Sequence, residues 1–168
     1  MTPAEVAEAL EAGGRAYEAI LRSSPAGVAT WHPREGEWCV NECAGHVVEG
    51  ERYAFAGRIR TILAADEPDF VVWDPVEVAR RRSDCVRQPS ALADELSVLR
   101  ADSVELVRTL TTEQLSRGGI HRRVGRLTID ELLHEWVHHD ANHLRQALAN
   151  IQEYVWPGMG NAQRFMSG

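Results

Sequence analysis

Residues 134–143 read HEWVHHDANH, four histidines in ten positions near the end of the chain. Two pairs with a four-residue offset are nested there. His134 and His138 enclose Glu135 in an H-E-x-x-H string, the pattern in which metalloproteases hold zinc and supply a carboxylate base. His139 and His143 form the second pair. Neutral imidazoles bind divalent transition metals, and residues four apart share one helix face. The two pairs cannot face the same way on one helix.

Helical geometry separates them. Ile129, Leu132, Leu133, Trp136, Val137, Leu144, Ala147, Leu148 and Ile151 define the core direction of this segment. His139 and His143 lie roughly 90° from that direction, on the flank of Leu132 and Trp136, whereas His134 and His138 lie about 130° away, toward solvent. Asp140 points nearly into the core, where a carboxylate needs an imidazole N–H or an arginine as partner. A protease would need a third ligand, commonly an acidic residue about 20 positions further on, and a second lobe to form a cleft. After residue 143 the only acidic residue is Glu153. The metalloprotease is therefore set aside, and His134 and His138 are expected on a solvated face.

Two histidines hold an ion better with a third protein ligand. His32, His46 and His121 remain, and His46 is best placed, in Glu42-Cys43-Ala44-Gly45-His46 of an earlier helix. Gly45 beside it permits another backbone to approach closely. Three neutral imidazoles with open positions suit zinc or nickel first, then iron or manganese, and make a reactive site, not a closed structural one. His121 belongs to a loop, at the surface or at the site mouth. Cys39-x3-Cys43-x2-His46 is too irregular for a zinc knuckle and lacks a fourth nearby ligand. Cys43 is expected as a small buried hydrophobe. Cys39 stands where a helix cap or a reactive helix-N-terminal thiol would. Arg80-Arg81-Arg82 is expected to be solvated, with an anionic thiol cofactor as its alternative partner. Trp31, Trp73, Trp136 and Trp156 are expected in the core or in dimer contacts.

The elements that position these residues carry clear punctuation. Thr2-Pro3-Ala4-Glu5 is a capping box with proline at the first helical position, and its helix stops near Ser23. A second helix starts at Cys39 or Val40 and keeps a helical period to about Ala64. Segment 65–89 carries Pro68, Pro75 and Pro89 and forms a long connection with a helical turn or more between Val76 and Cys85. A third helix runs from a Ser90 cap to about Leu110, followed by a short turn capped at Thr111. Residues 118–127 are glycine-punctuated and extended. Thr128-Ile129-Asp130-Glu131 opens the fourth helix, to about Ile151. Four amphipathic helices with little strand signal predict an all-α four-helix bundle, in which metal sites form from side chains on facing helices.

Composition bounds the function. The chain of 168 residues is 44% apolar and 26% charged, as in a soluble globular protein of one domain, residues 1–168. No apolar run approaches the roughly 20 residues of a membrane span, and the N-terminal segment does not resemble a signal peptide, so a cytoplasmic location is expected. A net charge of −7 argues against nucleic acid as a partner. The sequence contains no lysine, which excludes lysine Schiff-base chemistry and a P-loop lysine. The odd set Cys39, Cys43 and Cys85 reads as reduced thiols.

Two stretches carry a family likeness. Trp38-Cys39-Val40-Asn41-Glu42-Cys43-Ala44-Gly45-His46 resembles the W-S-x-x-E-x-x-x-H helix start of the DinB/YfiT-like metal-binding bundles, with Cys39 at the usual Ser or Thr position. Thr128-Ile129-Asp130-Glu131-Leu132-Leu133, with His139-Asp140-Ala141-Asn142-His143-Leu144-Arg145-Gln146, resembles their T-x-x-E-L-L and H-D-x-x-H-x-x-Q signature. The resemblance implies an up-down-down-up bundle with a long connection between helices 2 and 3, often a homodimer. It implies His46, His139 and His143 as metal ligands. It further implies a divalent-metal enzyme, a transferase or isomerase that adds a low-molecular-weight thiol such as mycothiol or bacillithiol to small electrophiles. Asp140 would orient a ligand or relay a proton, and Glu42 would cap its helix or support the site. The alternatives are a metal-dependent hydrolase on the same three histidines and a non-catalytic, stress-related metal-binding dimer.

Overall fold

The computed structural model describes residues 1–72 and 74–166, so Trp73 lies outside the described residues. The first helix, α1 (Pro3–Ser23), begins as its capping box requires: Thr2 Oγ1 accepts from the Glu5 amide, and the Glu5 carboxylate accepts from the Thr2 amide at 2.7 Å. A short turn, α2 (Ala26–Ala29), precedes the loop that carries Trp31 and His32. The second long helix is not continuous. It runs as α3 (Val40–Glu49), widens into a π-helical segment (Gly50–Ala54), breaks at Phe55 and resumes as α4 (Ala56–Ala64). The crossover carries α5 (Pro75–Arg82) and a 3-10 turn (Asp84–Val86). Next come α6 (Pro89–Arg108) and α7 (Thr112–Leu115). Helix α6 starts on Pro89 with Gln88 at its cap, two residues ahead of the expected Ser90, because proline is favoured at the first helical position.

The glycine-punctuated stretch forms an antiparallel hairpin, β1 (Gly118–His121) and β2 (Gly125–Thr128), turning at Gly125 with φ 84°. Thr128 closes β2 and caps α8 (Ile129–Val155), with Glu131 completing the box. Two 3-10 pieces, separated by a kink at Gly160 with φ 51°, follow within Trp156–Met166. The molecule is thus mostly α-helical, an up-down-down-up four-helix bundle. Helix α1 packs on α6 and α8, and α3 packs on the same two helices from the other side. No helix among the described residues is long and apolar enough to cross a membrane.

The core is divided in two. One apolar cluster contains Val6, Leu10, Phe55, Ile59, Val104, Val107 and Trp136; the other contains Tyr17, Val40, Cys43, Val47, Leu92, Leu96 and Ala147. Between them, along every helix of the bundle, lies a polar or glycine level: Gly13 and Gly14 in α1, Glu51 in the π-segment, Arg100 in α6 and Asp140 in α8. Glu51, Arg100 and Asp140 are all buried. The histidines of interest open onto this level.

Candidate metal centre

Helix α3 delivers His46 and helix α8 delivers His139 and His143 to one point. One ring nitrogen from each lies within 4.8 Å of the other two. His46 Nε2 and His139 Nε2 approach to 3.0 Å, and the ring centroids of His143 lie 4.5 Å from each of the other two. Aromatic neighbours wall the cluster. Trp38 lies against His46, with ring centroids 4.8 Å apart, and Phe55 meets His139 at 5.1 Å while stacking on Trp136. The π-segment brings Gly50 beneath His139, where a Cβ would already stand 3.4 Å from the ring. His134 and His138, by contrast, are exposed. His134 Nδ1 contacts the Asp130 carbonyl oxygen, and its Nε2 meets the N-terminal amine. His32 and His121 are also elsewhere, His32 against Glu42 and His121 at the hairpin turn.

The donor set fits a divalent transition metal. Gln146 Oε1 lies 3.0 Å from His143 Nδ1, which places the proton on Nδ1 and leaves Nε2 as a lone pair. His139 Nδ1 is buried without a hydrogen-bond partner and lies 3.7 Å from Asp140 Oδ1, a gap that a small ring rotation would close. Two Nε2 atoms at 3.0 Å need either a shared proton or a cation to hold them together. Burial, reinforced by the neighbouring His139 and His143, pushes the His46 imidazolium down to about 3, and burial likewise lowers His143. Both rings are therefore neutral near pH 7 with lone pairs available.

Behind the imidazoles, Asp140 contacts Arg100 Nη1 at 2.5 Å, and Glu51 contacts Arg100 Nη2 at 2.5 Å. Arg100 Nη1 also donates to the Leu10 carbonyl at 2.7 Å, and Trp136 Nε1 donates to Glu51 at 3.2 Å. The two carboxylates respond differently. Burial drives both upward, but at Asp140 Arg100 and His139 together outweigh it and the carboxyl is held below the ordinary range; at Glu51 burial prevails and the carboxyl is raised. Space for Arg100 depends on Gly14, where a Cβ would lie 2.9 Å from the arginine side chain. A buried aspartate at position 140 is thus satisfied by an arginine, with an imidazole close by.

The crossover packs against α3 beside the cluster. A cleft lined by Gly45, His46, Glu49, Val78 and Arg82 shares its last three residues with a recess of about 380 Å³ bordered by Tyr53, Val71 and Arg81. Gly45 gives room to the Asp84 carboxylate of the crossover, not to another backbone. The three arginines of α5 also divide. Arg80 and Arg81 are solvated, as expected, but Arg82 is sequestered against Glu49, Asp84 and Glu95 at 2.5–3.2 Å, because the crossover folds back over α3 and α6. Glu42 caps α3, accepting from the Cys39 amide at 2.9 Å. Cys43 and Trp136 are fully buried, Trp31 packs edge-on against Tyr154, and Trp156 is 42% exposed.

Sequence reasoning missed Arg100 and Glu51, and gave Gln146 no role beyond its place in the motif. Arg100 carried a usable signal, since it occupies the apolar stripe Leu92, Leu96, Val104, Val107 of its helix. Glu51 carried none, because the π-segment that turns it inward shifts the helical period.

Residues 9–147 match the family model of the DinB superfamily. A comparison with curated proteins finds no match. Among solved structures, YfiT from Bacillus subtilis, reported as a probable metal-dependent hydrolase with an unusual four-helix bundle topology, superposes with a TM-score of 0.80 at 21% identity, over 94% of this chain and 87% of its own. The four-helix bundle protein TT2238 gives 0.60 at 24% identity, over 88% and 99%. The mycothiol-dependent maleylpyruvate isomerase gives 0.67 at 14% identity, over 86% of this chain but 60% of its own. These likenesses establish the shared bundle.

Proposed function

The chain belongs to the DinB superfamily, and from that premise we propose that it is a divalent-metal-dependent thiol transferase or isomerase acting on small electrophiles. His46, His139 and His143 are the proposed ligands. Bound there, a divalent ion such as zinc or nickel supplies positive charge that favours ionisation of a thiol entering from the recess. The chain's own part is positioning. Gln146 and Asp140 set the tautomers of His143 and His139, Arg100 anchors Asp140, and Trp38 and Phe55 keep the flanks of the cluster dry. Arg81 at the recess offers charge to the carboxylate of an incoming thiol or electrophile.

The observation that carries thiol transfer over hydrolysis is the state of the nearby acids. Among the described residues, each carboxylate around the cluster has a charged or donor partner on at least one oxygen: Asp140 and Glu51 are ion-paired with Arg100, Glu49 with Arg52 and Arg82, and Glu42 meets the Cys39 amide and His32, while Asp140 Oδ1 and Glu51 Oε2 carry no hydrogen bond. A hydrolase needs a general base within reach of its water; a thiol cofactor brings its own nucleophile. The mycothiol-dependent isomerase among the structural neighbours supports this choice. Homodimer assembly, the family expectation, is proposed alongside and is read by light scattering.

Metal analysis of purified protein loaded with nickel, beside His143→Ala, tests the site; wild type that retains no ion at the cluster overturns it. Turnover of small electrophiles is then followed with and without mycothiol, bacillithiol or glutathione. Thiol-dependent consumption is expected. Metal-dependent ester cleavage that ignores added thiol would replace the proposal with a hydrolase.

A further inference from the structure

A second group of metal-ligating side chains lies at the other end of the first turns of α3. The ligand atoms of His32, Cys39, Glu42 and Cys85 all lie within 4.8 Å of one another. They come from four places: the loop after α2, the cap of α3, its first turn, and the 3-10 turn of the crossover. Cys39 therefore meets neither Cys43 nor a disulfide partner near in sequence, but a thiol 46 positions away. We infer that His32, Cys39, Glu42 and Cys85 form a second, structural zinc site that ties the crossover and the loop after α2 to the start of α3.

The chemistry of the set argues for an ion. Two sulfurs, one imidazole and one carboxylate are the donor types of closed, four-coordinate zinc, and thiolates select zinc over hard cations. Bond lengths of 2.0–2.3 Å place tetrahedral ligand atoms about 3.3–3.8 Å apart, so the set needs only small side-chain rotations to close. A disulfide would account for the two sulfurs but not for the imidazole and carboxylate that converge on them. The partners already hold their neighbours in place. His32 Nε2 meets Glu42 Oε2 at 2.9 Å, that oxygen also accepts from the Cys39 amide at 2.9 Å, and Cys85 Sγ rests 3.4 Å from the Thr30 carbonyl. Burial pushes the Cys39 thiol well up, and the Glu42 amide, which faces the sulfur as its cap, offsets only part of that, so a thiolate there needs the ion beside it. Cys39 is fully buried, whereas Cys85 is half-buried and His32 exposed, which leaves an entry path for the ion. Binding zinc exchanges the two thiol protons for the metal, and both are released to solvent.

The test uses the reduced 168-residue chain titrated with cobalt(II) alone. Two ions per chain are expected, together with the near-ultraviolet thiolate-to-cobalt charge-transfer absorption that imidazole and carboxylate ligands do not produce. Cys85→Ala should keep one ion and lose that absorption. His143→Ala should keep one ion and retain it, which separates this site from the three-histidine cluster. His32→Ala, a change at an exposed side chain, should weaken cobalt binding at the thiolate site at least tenfold without unfolding the protein. Wild type without the charge-transfer absorption overturns the inference, as does an absorption that survives in Cys85→Ala. So does a Cys39–Cys85 disulfide whose reduced form takes up no cobalt at these thiols.

Discussion

Asp140 and Glu51 share Arg100, so the buried level between the two core clusters carries more negative than positive charge once both carboxylates are ionised. An excess of negative charge behind the three imidazoles favours a cation among them. Asp140→Asn keeps the shape, leaves Arg100 paired with Glu51 and removes that excess. Metal affinity, measured by competition with a chelator, should fall about 10–100-fold, as when other partners behind metal-ligating histidines are lost. The metal-free variant should unfold at a lower denaturant concentration than wild type, because the fold favours the ionised Asp140; unchanged metal affinity would remove Asp140 from the site. Arg100→Met is the opposite experiment. It leaves two buried carboxylates without a cation, at a cost of about 3–5 kcal/mol. Their folded pKa values would then lie above the unfolded ones, so the variant's stability is present at low pH and lost as pH rises through the raised values. Urea unfolding at about pH 5 and about pH 8 should show the variant weaker at the higher pH; equal midpoints would mean that the carboxylates find another partner.

At the scale of elements, charge holds the crossover against α3 and α6. Arg82 and Arg87 reach from α5 and the segment after it to Glu95 in α6 at 2.7–3.2 Å, while Arg82 also reaches Glu49 in α3. Burial alone would raise Glu95, but the two arginines dominate and hold it at about 2, below its ordinary 4.5. A depressed carboxylate contributes stability that is complete above the unfolded value and lost as pH falls from about 4.5 toward 2. Limited proteolysis of residues 65–89 should therefore accelerate in that window, and Glu95→Gln should abolish the change; an identical acid response in the variant rules Glu95 out as its source. The long helices were legible because Thr2-Pro3, Thr128-Glu131 and the apolar periods are local signals that the bundle also satisfies. The flanks of α8 were legible for the same reason, so His139 and His143 separate from His134 and His138 on a helical wheel. The break at 50–55 was not, since a π-segment adds a residue to the turn without changing composition. Nor was the meeting of Cys39 with Cys85, which depends on where the crossover returns, and no local pattern encodes that.

For the whole molecule, the three-histidine cluster joins α3 to α8, helices on opposite sides of the crossover, with His46 and His139 93 positions apart in sequence. An ion bound only in the folded state stabilises it by RT ln(1 + [L]/Kd), about 4 kcal/mol at a thousandfold excess over Kd. For a chain of this size each kcal/mol raises the melting temperature by roughly 2–4 °C, so saturating nickel should raise it by about 8–16 °C. Measured in a Cys85→Ala background, where the thiolate set is incomplete, that rise reports the histidine cluster alone, and His143→Ala in the same background should remove it. Restoring Cys85 and adding zinc should return a second increment even when His143 is absent. The two increments need not add. Glu42 and His46 stand one turn apart on α3, so an ion at either site orders the helix that carries the other, and the pair should gain more than the sum of its parts. A melting temperature indifferent to nickel and to chelator in the Cys85→Ala protein would leave the bundle without its metal staple, whatever activity it shows.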